Sequence, residues 1–217
     1  MLQYRTFHNT DPPVLAELWR SREGQRGLCR GVTTSLLEQL VFAKLYFDYE
    51  GLVLAFDDGR PVGFAHAGFG PNEAEDGVST ELGTTCLVLV RPDCDEPRVA
   101  EGLIEQCERY LRARGTKVLY GGAIRPLNPF YLGLYGGSEL PGELESDTVA
   151  EEAFRSRGYK PIDQVLVFRR ELAGFHPPID RRQMQVRRQM IVEEIIDPPT
   201  PSWWPCWPNA ATGAGSP

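Results

Sequence analysis

Leu82-Gly-Thr-Thr-Cys-Leu-Val-Leu-Val90, Arg91-Pro-Asp-Cys-Asp-Glu96, and the run from Pro97 through Arg114 to Ile124 decide the fold. Cys86 to Val90 is an apolar run with β-branched residues, bounded by a polar break, and reads as a buried strand. From Pro97 to Arg114 the apolar residues Val99, Leu103, Cys107, Tyr110 and Leu111 recur at helical spacing, with charges opposite. Gly115 is a natural C-cap after Arg112 and Arg114, and Lys117 to Ile124 starts a second strand. Strand, loop, helix and strand make a βαβ unit. At its first junction a helix N-terminus meets a strand end, where backbone N–H groups can hold an anion.

Working outward, Gln3 to Phe7 alternates as a short first strand. His8 to Asp11 followed by Pro12-Pro13 reads as a helix start, with Leu15, Leu18 and Trp19 to be buried. A Gly/Arg-rich linker leads to Thr33, Thr34 or Ser35, any of which can cap a second helix running to about Leu45. Leu52 to Phe56 and Pro61 to Phe69 are strands joined by the turn Asp57-Asp58-Gly59. Glu81 to Val90 is the strand described above. After Ile124 comes an irregular Gly-, Pro- and Tyr-rich insert. Asp147 then caps a short helix through Ala150 and Phe154. Tyr159 to Leu172 reads as a last long strand, Arg181 to Arg188 as a basic helix, and Met190 to Ile196 as one more strand.

The 217 residues suffice for one sizeable domain with an appendage. We place a domain at 1–172 and an extension at 173–217. The net charge of −7 argues against nucleic acid and leaves an amine acceptable as partner. No apolar run approaches the ~20 residues of a membrane span, and Met1 to Thr6 starts no signal peptide. The five cysteines contain no CxxC pattern and read as reduced cytoplasmic thiols. His8, His66 and His176 are scattered and suggest no metal site.

The order of elements resembles the GNAT superfamily of acyl-CoA-dependent N-acetyltransferases over Leu2 to Leu172. Val90, Pro92, Val99, Ala100, Leu103 and Ile104 fall into the family frame V-x-P-x-x-R-G-x-G-x-G/A-x-x-L-L. Asp147, Ala150, Ala153, Phe154, Gly158 and Tyr159 fill the frame N-x-x-A-x-x-L-Y-x-x-x-G-F. The resemblance implies an α/β (α+β) fold with a mixed central sheet flanked by helices, and acetyl-CoA as cosubstrate. It implies cofactor contacts at Leu89, Val90, Asp95, Glu96, Arg98, Val99, Ala100 and Phe154, with backbone groups around Leu89 and Val90 polarising the thioester. Within the phosphate-binding segment only Ala100 keeps the family's small residue. Asp95 stands for a basic or amide side chain, Arg98 for a glycine, and Pro97 removes an N–H. Phe154 stands where many members have a proton-donating tyrosine.

Amide formation needs a neutral amine, and a carboxylate near the acceptor can take its proton directly or through water. Glu81, at the start of the central strand, occupies the place such a base holds in the family. The aromatic insert offers Asn128, Tyr131, Tyr135 and Glu139 either as polar handles of an acceptor pocket or as part of a dimer or domain-contact surface. The expected function is acetyl transfer from acetyl-CoA to a small-molecule or peptide amine. The alternative is a catalytically inactive GNAT-like domain with a structural or partner-binding role. Met190 to Ile196 raises the further expectation of a tandem protein whose second GNAT domain begins there.

Overall fold

The structure, a computed structural model, describes residues 1–74, 77–122, 124, 127, 130–136, 142–166, 171, 173–174 and 181–189. Five strands form one mixed sheet in the order β1 (Leu2–Thr6), β2 (Leu52–Asp57), β3 (Arg60–Pro71), β4 (Val78–Val90) and β5 (Val118–Gly121). The first four pair antiparallel, and β5 lies parallel to β4. The β2–β3 turn takes positive φ at Asp58 (47°) and Gly59 (81°), the backbone that a tight hairpin requires.

Helix α1 (Pro12–Arg20) and α2 (Thr34–Leu37) cover one face of the sheet. Thr33 caps α2 by accepting from the Leu36 N–H at 3.2 Å. The second helix is shorter than its apolar pattern suggests, because α2 passes into a wider π-type turn over Glu38–Phe42. Asp11 precedes α1, yet its carboxylate serves β1 rather than the helix. It accepts from Arg5 Nη1 and Nη2 (2.7 and 2.8 Å) and from the His8 N–H (2.7 Å). Burial by itself raises the Asp11 pKa, and these donors outweigh it and hold the group ionised below its usual range.

The long helix α3 (Glu96–Ala113) and α4 (Thr148–Ser156) cover the opposite face. Val99, Ala100, Leu103, Ile104, Cys107 and Leu111 of α3 are fully buried against Val53, Ala65, Val88 and Val90. The larger of these side chains each contribute on the order of 1.5–3 kcal/mol. Bidentate bonds from Arg157 to Glu108 (3.0 and 2.8 Å) tie α4 to α3. The basic helix α5 (Arg181–Gln189) is present. Among the described residues the strand expected from Tyr159 has no strand partner over residues 159–166, and Ile162, Val165 and Leu166 are exposed there. Pro161 cannot donate to a ladder, and β5 offers only a four-residue edge. Met190 to Ile196 lies outside the described residues.

Candidate functional site

The sheet opens at one place. Pairing between β4 and β5 runs from Leu82·Val118 to Thr85·Gly121 and stops. The Gly122 N–H donates to the Thr85 carbonyl (2.9 Å) and Thr84 Oγ1 donates to the Gly122 carbonyl (2.7 Å), which fixes the point of parting. Beyond it, Cys86 to Val90 keep β3 on one side and have no strand on the other among the described residues.

A bulge marks the same point. His66 pairs with Leu87 and Ala67 with Thr85, so Cys86 is an extra residue. The bulge turns Cys86 and Leu87 toward the same face of the sheet, among Trp19, Phe130 and Tyr131. Further along, the Arg91 N–H donates to the Val62 carbonyl (2.8 Å). That bond makes Val90·Gly63 a non-hydrogen-bonded antiparallel pair, so Val90 turns its own N–H and C=O away from β3, and Val88 two residues earlier does the same. Leu89 has the opposite phase and spends its backbone groups on β3. Val88 and Val90 therefore turn their backbone groups away from β3, toward the opening, and Leu89 does not.

The open edge ends in a network of arginines and carboxylates. Arg22, just past α1, donates from Nε to the Val90 carbonyl (2.6 Å) and from Nη2 to Glu96 Oε2 (2.5 Å). Arg91 pairs with Asp93 (3.1 Å) and Glu17 (3.0 Å), and Arg60 also pairs with Asp93. At the start of α3, Asp95 makes no side-chain capping bond, the Glu96 N–H is spent on the Cys94 carbonyl (2.9 Å), and Pro97 has no N–H. Asp95 and Arg98 are exposed, whereas Val99 and Ala100 are buried beneath the helix. Arg98 lies close enough to Tyr4 of β1 to act on its phenol electrostatically. It thus faces the sheet edge opposite β5. Phe154 is buried above Gly121, where an added Cβ would meet its ring at 2.8 Å, and packs edge-on against Tyr159 with centroids 5.0 Å apart.

Glu81 is exposed at the far end of β4, roughly 16 Å back from Cys86 at about 3.3 Å per residue. It pairs with Lys117 at 2.5 Å, and that ammonium holds its pKa below the usual range. Tyr131 and Tyr135 are buried in the core under α1, not on an open wall. Tyr131 hydroxyl and His66 Nδ1 are 3.1 Å apart. Asn128 and Glu139 lie outside the described residues.

A second carboxylate pair sits beside the parting point and has no local sequence signature. Tyr135 hydroxyl donates to Glu143 Oε2 (3.0 Å), stands 3.5 Å from Asp147 Oδ2, and accepts from the Leu144 N–H (3.1 Å). A Cβ on Gly122 would meet the Gly142 and Glu143 backbone at 2.6 and 2.7 Å, so this segment lies directly against the end of β5. The residue Glu143 is half-buried, but its Oε1 is shut off from solvent and has no hydrogen-bond partner among the described residues. Loss of hydration and the neighbouring Asp147 push the Glu143 carboxyl up to about 8. Glu143 in turn acts on the buried Cys86 thiol, which burial raises well above its usual range.

A depression of about 390 Å³ lined by Phe7, Asn9, Pro12, Glu38, Phe42, Phe47 and Tyr49 lies near β1, away from this opening. Among the described residues no group of three His, Cys, Asp or Glu is placed to hold a metal, and no helix is long and apolar enough to cross a membrane.

The model of the GNAT acetyltransferase family matches residues 16–135, more than half of the chain. Among solved structures, the chain is similar to the aminoglycoside N-acetyltransferase AAC(6′)-Iy in complex with CoA, at 19% identity and TM-score 0.50, over 78% of this chain and 95% of that one. It is similar to ribosomal-protein-alanine N-acetyltransferase from Brucella melitensis biovar Abortus 2308, at 17% identity and TM-score 0.50, over 77% and 98%. A transcriptional regulator from Bacillus halodurans C-125 aligns at 13% identity and TM-score 0.52, over 78% and 99%. No curated protein matches. At such identities the structural likeness speaks for the fold alone. The family match does more: together with a mixed sheet that opens between β4 and β5, it establishes that the chain belongs to the GNAT acetyltransferase family.

Proposed function

We propose that this chain transfers an acetyl group from acetyl-CoA to an amine. The observation that carries the reading is the parted edge of β4, where Val88 and Val90 turn N–H and C=O groups into an opening that holds no strand among the described residues. The arm of CoA carries secondary amides, so it fits such an edge as an added strand would. Its phosphates would approach the start of α3 without a full backbone cradle, because the Glu96 N–H is spent on the Cys94 carbonyl and Pro97 has no N–H to offer. When bound, acetyl-CoA supplies the activated acyl thioester. The protein's part is to align that arm along β4 and to take a proton from the acceptor.

An amine is an ammonium ion at neutral pH and must lose a proton before it attacks. Glu143, whose backbone lies against Gly122 at the parting point and whose carboxyl is raised to about 8, matches that task in proton affinity better than Glu81, which Lys117 keeps acidic; reaching an acceptor requires that its covered Oε1 be exposed. Tyr135 orients the Glu143 carboxyl. The phenol is a poor acid, because burial pushes its pKa far up. The named acceptors of the similar structures, aminoglycosides and a ribosomal-protein alanine, are both amines. A second reading, a GNAT-like domain without catalysis, is favoured by Glu96, Asp93 and Pro97 at the start of α3.

Calorimetric titration with acetyl-CoA, followed by thiol-release assays over a panel of amines, separates the two. The transferase reading expects binding, and turnover that rises with pH through about 8 as Glu143 loses its proton. Glu143→Gln should abolish that rise while Glu81→Gln leaves it. Absence of acetyl-CoA binding leaves the second reading standing.

A further inference from the structure

We propose that Arg22 is a latch on the cofactor edge, holding β4 closed until an arriving CoA arm displaces it. This rests on the transferase reading above. Two observations carry it. The Val90 carbonyl is one of the few acceptors that β4 turns into the opening, and Arg22 Nε already bonds it at 2.6 Å. A strand-like arm on this edge needs the same carbonyl and the same space. The other end of the guanidinium is engaged as well, by Glu96 at 2.5 Å, with both side chains about four-fifths shielded (17% and 21% exposed). Charge-assisted bonds in a shielded site are the stronger kind. Arg22 therefore joins three parts of the chain: the segment after α1, the end of β4 and the first turn of α3. Its partners are 68 and 74 residues away in sequence.

The latch also answers a charge problem. With Arg22 in place, Glu96 is neutralised at the helix start. Once Arg22 leaves, Glu96 stands bare where phosphates approach, which opposes binding a second time. Both effects favour the closed edge, so the ligand-free state is held and affinity for CoA is lowered.

The test uses the full chain and compares Kd by calorimetry for CoA and for phosphate-free acetyl-pantetheine. Four proteins are needed: wild type, Arg22→Ala, Glu96→Ala and the double variant. Removing Arg22 on the Glu96→Ala background isolates the competition at Val90 from the bare carboxylate. The expected result is tighter binding of both ligands by the double variant than by Glu96→Ala, by about tenfold or more, the size of one charge-assisted hydrogen bond. Equal or weaker binding of CoA by the double variant overturns the latch and makes Arg22 a bystander or a phosphate grip. No binding of either ligand by any of the four overturns the transferase reading and the latch with it. Arg22→Gln, which keeps most of the bulk, repeats the comparison should the alanine variants fail to fold.

Discussion

Lowering the pH from 7 to 5 should change the stability of this protein by two opposed amounts that nearly cancel, and single substitutions should expose each. His66 is wholly buried among Phe47, Phe130 and Tyr131, with Nε2 lacking any hydrogen-bond partner among the described residues. Loss of hydration lowers its pKa from 6.5 to about 3. Between those values the unfolded chain takes up a proton that the folded chain refuses, so stability falls as pH falls, by about 1.4 kcal/mol per pH unit. From pH 7 to 5 the loss is about 2 kcal/mol. Glu143 acts in the other direction. Its carboxyl is raised from 4.5 to about 8, so over that range the folded chain holds a proton that the unfolded chain lacks. Stability from this group is present in full below 4.5 and is lost as pH rises through 8, so the same drop in pH gains about 2.5 kcal/mol. Urea denaturation of wild type at the two pH values should therefore give nearly equal free energies from these groups. His66→Gln, neutral throughout and still able to bond Tyr131, should become more stable at pH 5 than at pH 7 by about 2 kcal/mol relative to wild type. Glu143→Gln should move by about 2.5 kcal/mol the other way. Curves for His66→Gln and wild type that run parallel between pH 5 and 7 would refute the claim that His66 is buried uncharged.

Leu103→Ala should cost about 2–5 kcal/mol in the same assay, because Leu103 is fully buried between α3 and the Gly63 backbone of β3. Gly121→Ala should cost about 1–3 kcal/mol through overlap with the Phe154 ring, 2.8 and 2.9 Å from the new Cβ, and Phe154→Leu should recover part of it in a double-mutant cycle. Arg157→Ala should cost about 1–3 kcal/mol, since it leaves the shielded Glu108 carboxylate (12% exposed) without its bidentate partner; an unchanged midpoint would show that Ala150, Ala153, Phe154 and the Ser156–Glu101 bond hold α4 without it.

Much of the frame was legible in the chain because it depends on neighbours a few residues apart. The helical stripe of α3 and the positive-φ turn at Asp58-Gly59 follow from residue type and spacing. A cap among Thr33, Thr34 and Ser35 follows as well, and the structure uses Thr33. Caps were less legible where a better partner competes across space. Asp11 answers to Arg5, and Asp147 makes no capping bond but faces Tyr135 instead. The family frame put Arg98 at a phosphate position, yet a helix repeats every 3.6 residues and the side chain at that step faces β1. Val99 and Ala100 fall on the buried stripe for the same reason.

The sequence by itself determined β1 to β5, α1, α3 and α4, the parallel β4–α3–β5 unit, and through these the family; the strand expected from Tyr159 is not found over residues 159–166. Only the tertiary structure decided where β4 leaves β5, since that depends on a bulge at Cys86 and on which backbone groups β3 consumes. It alone brought Arg22 onto Val90 and Glu96, and Glu143 against the end of β5. Hydrogen-bond partners so far apart in sequence, and a carboxyl whose affinity for its proton is set by lost hydration, are products of packing. Local spacing in a sequence carries neither.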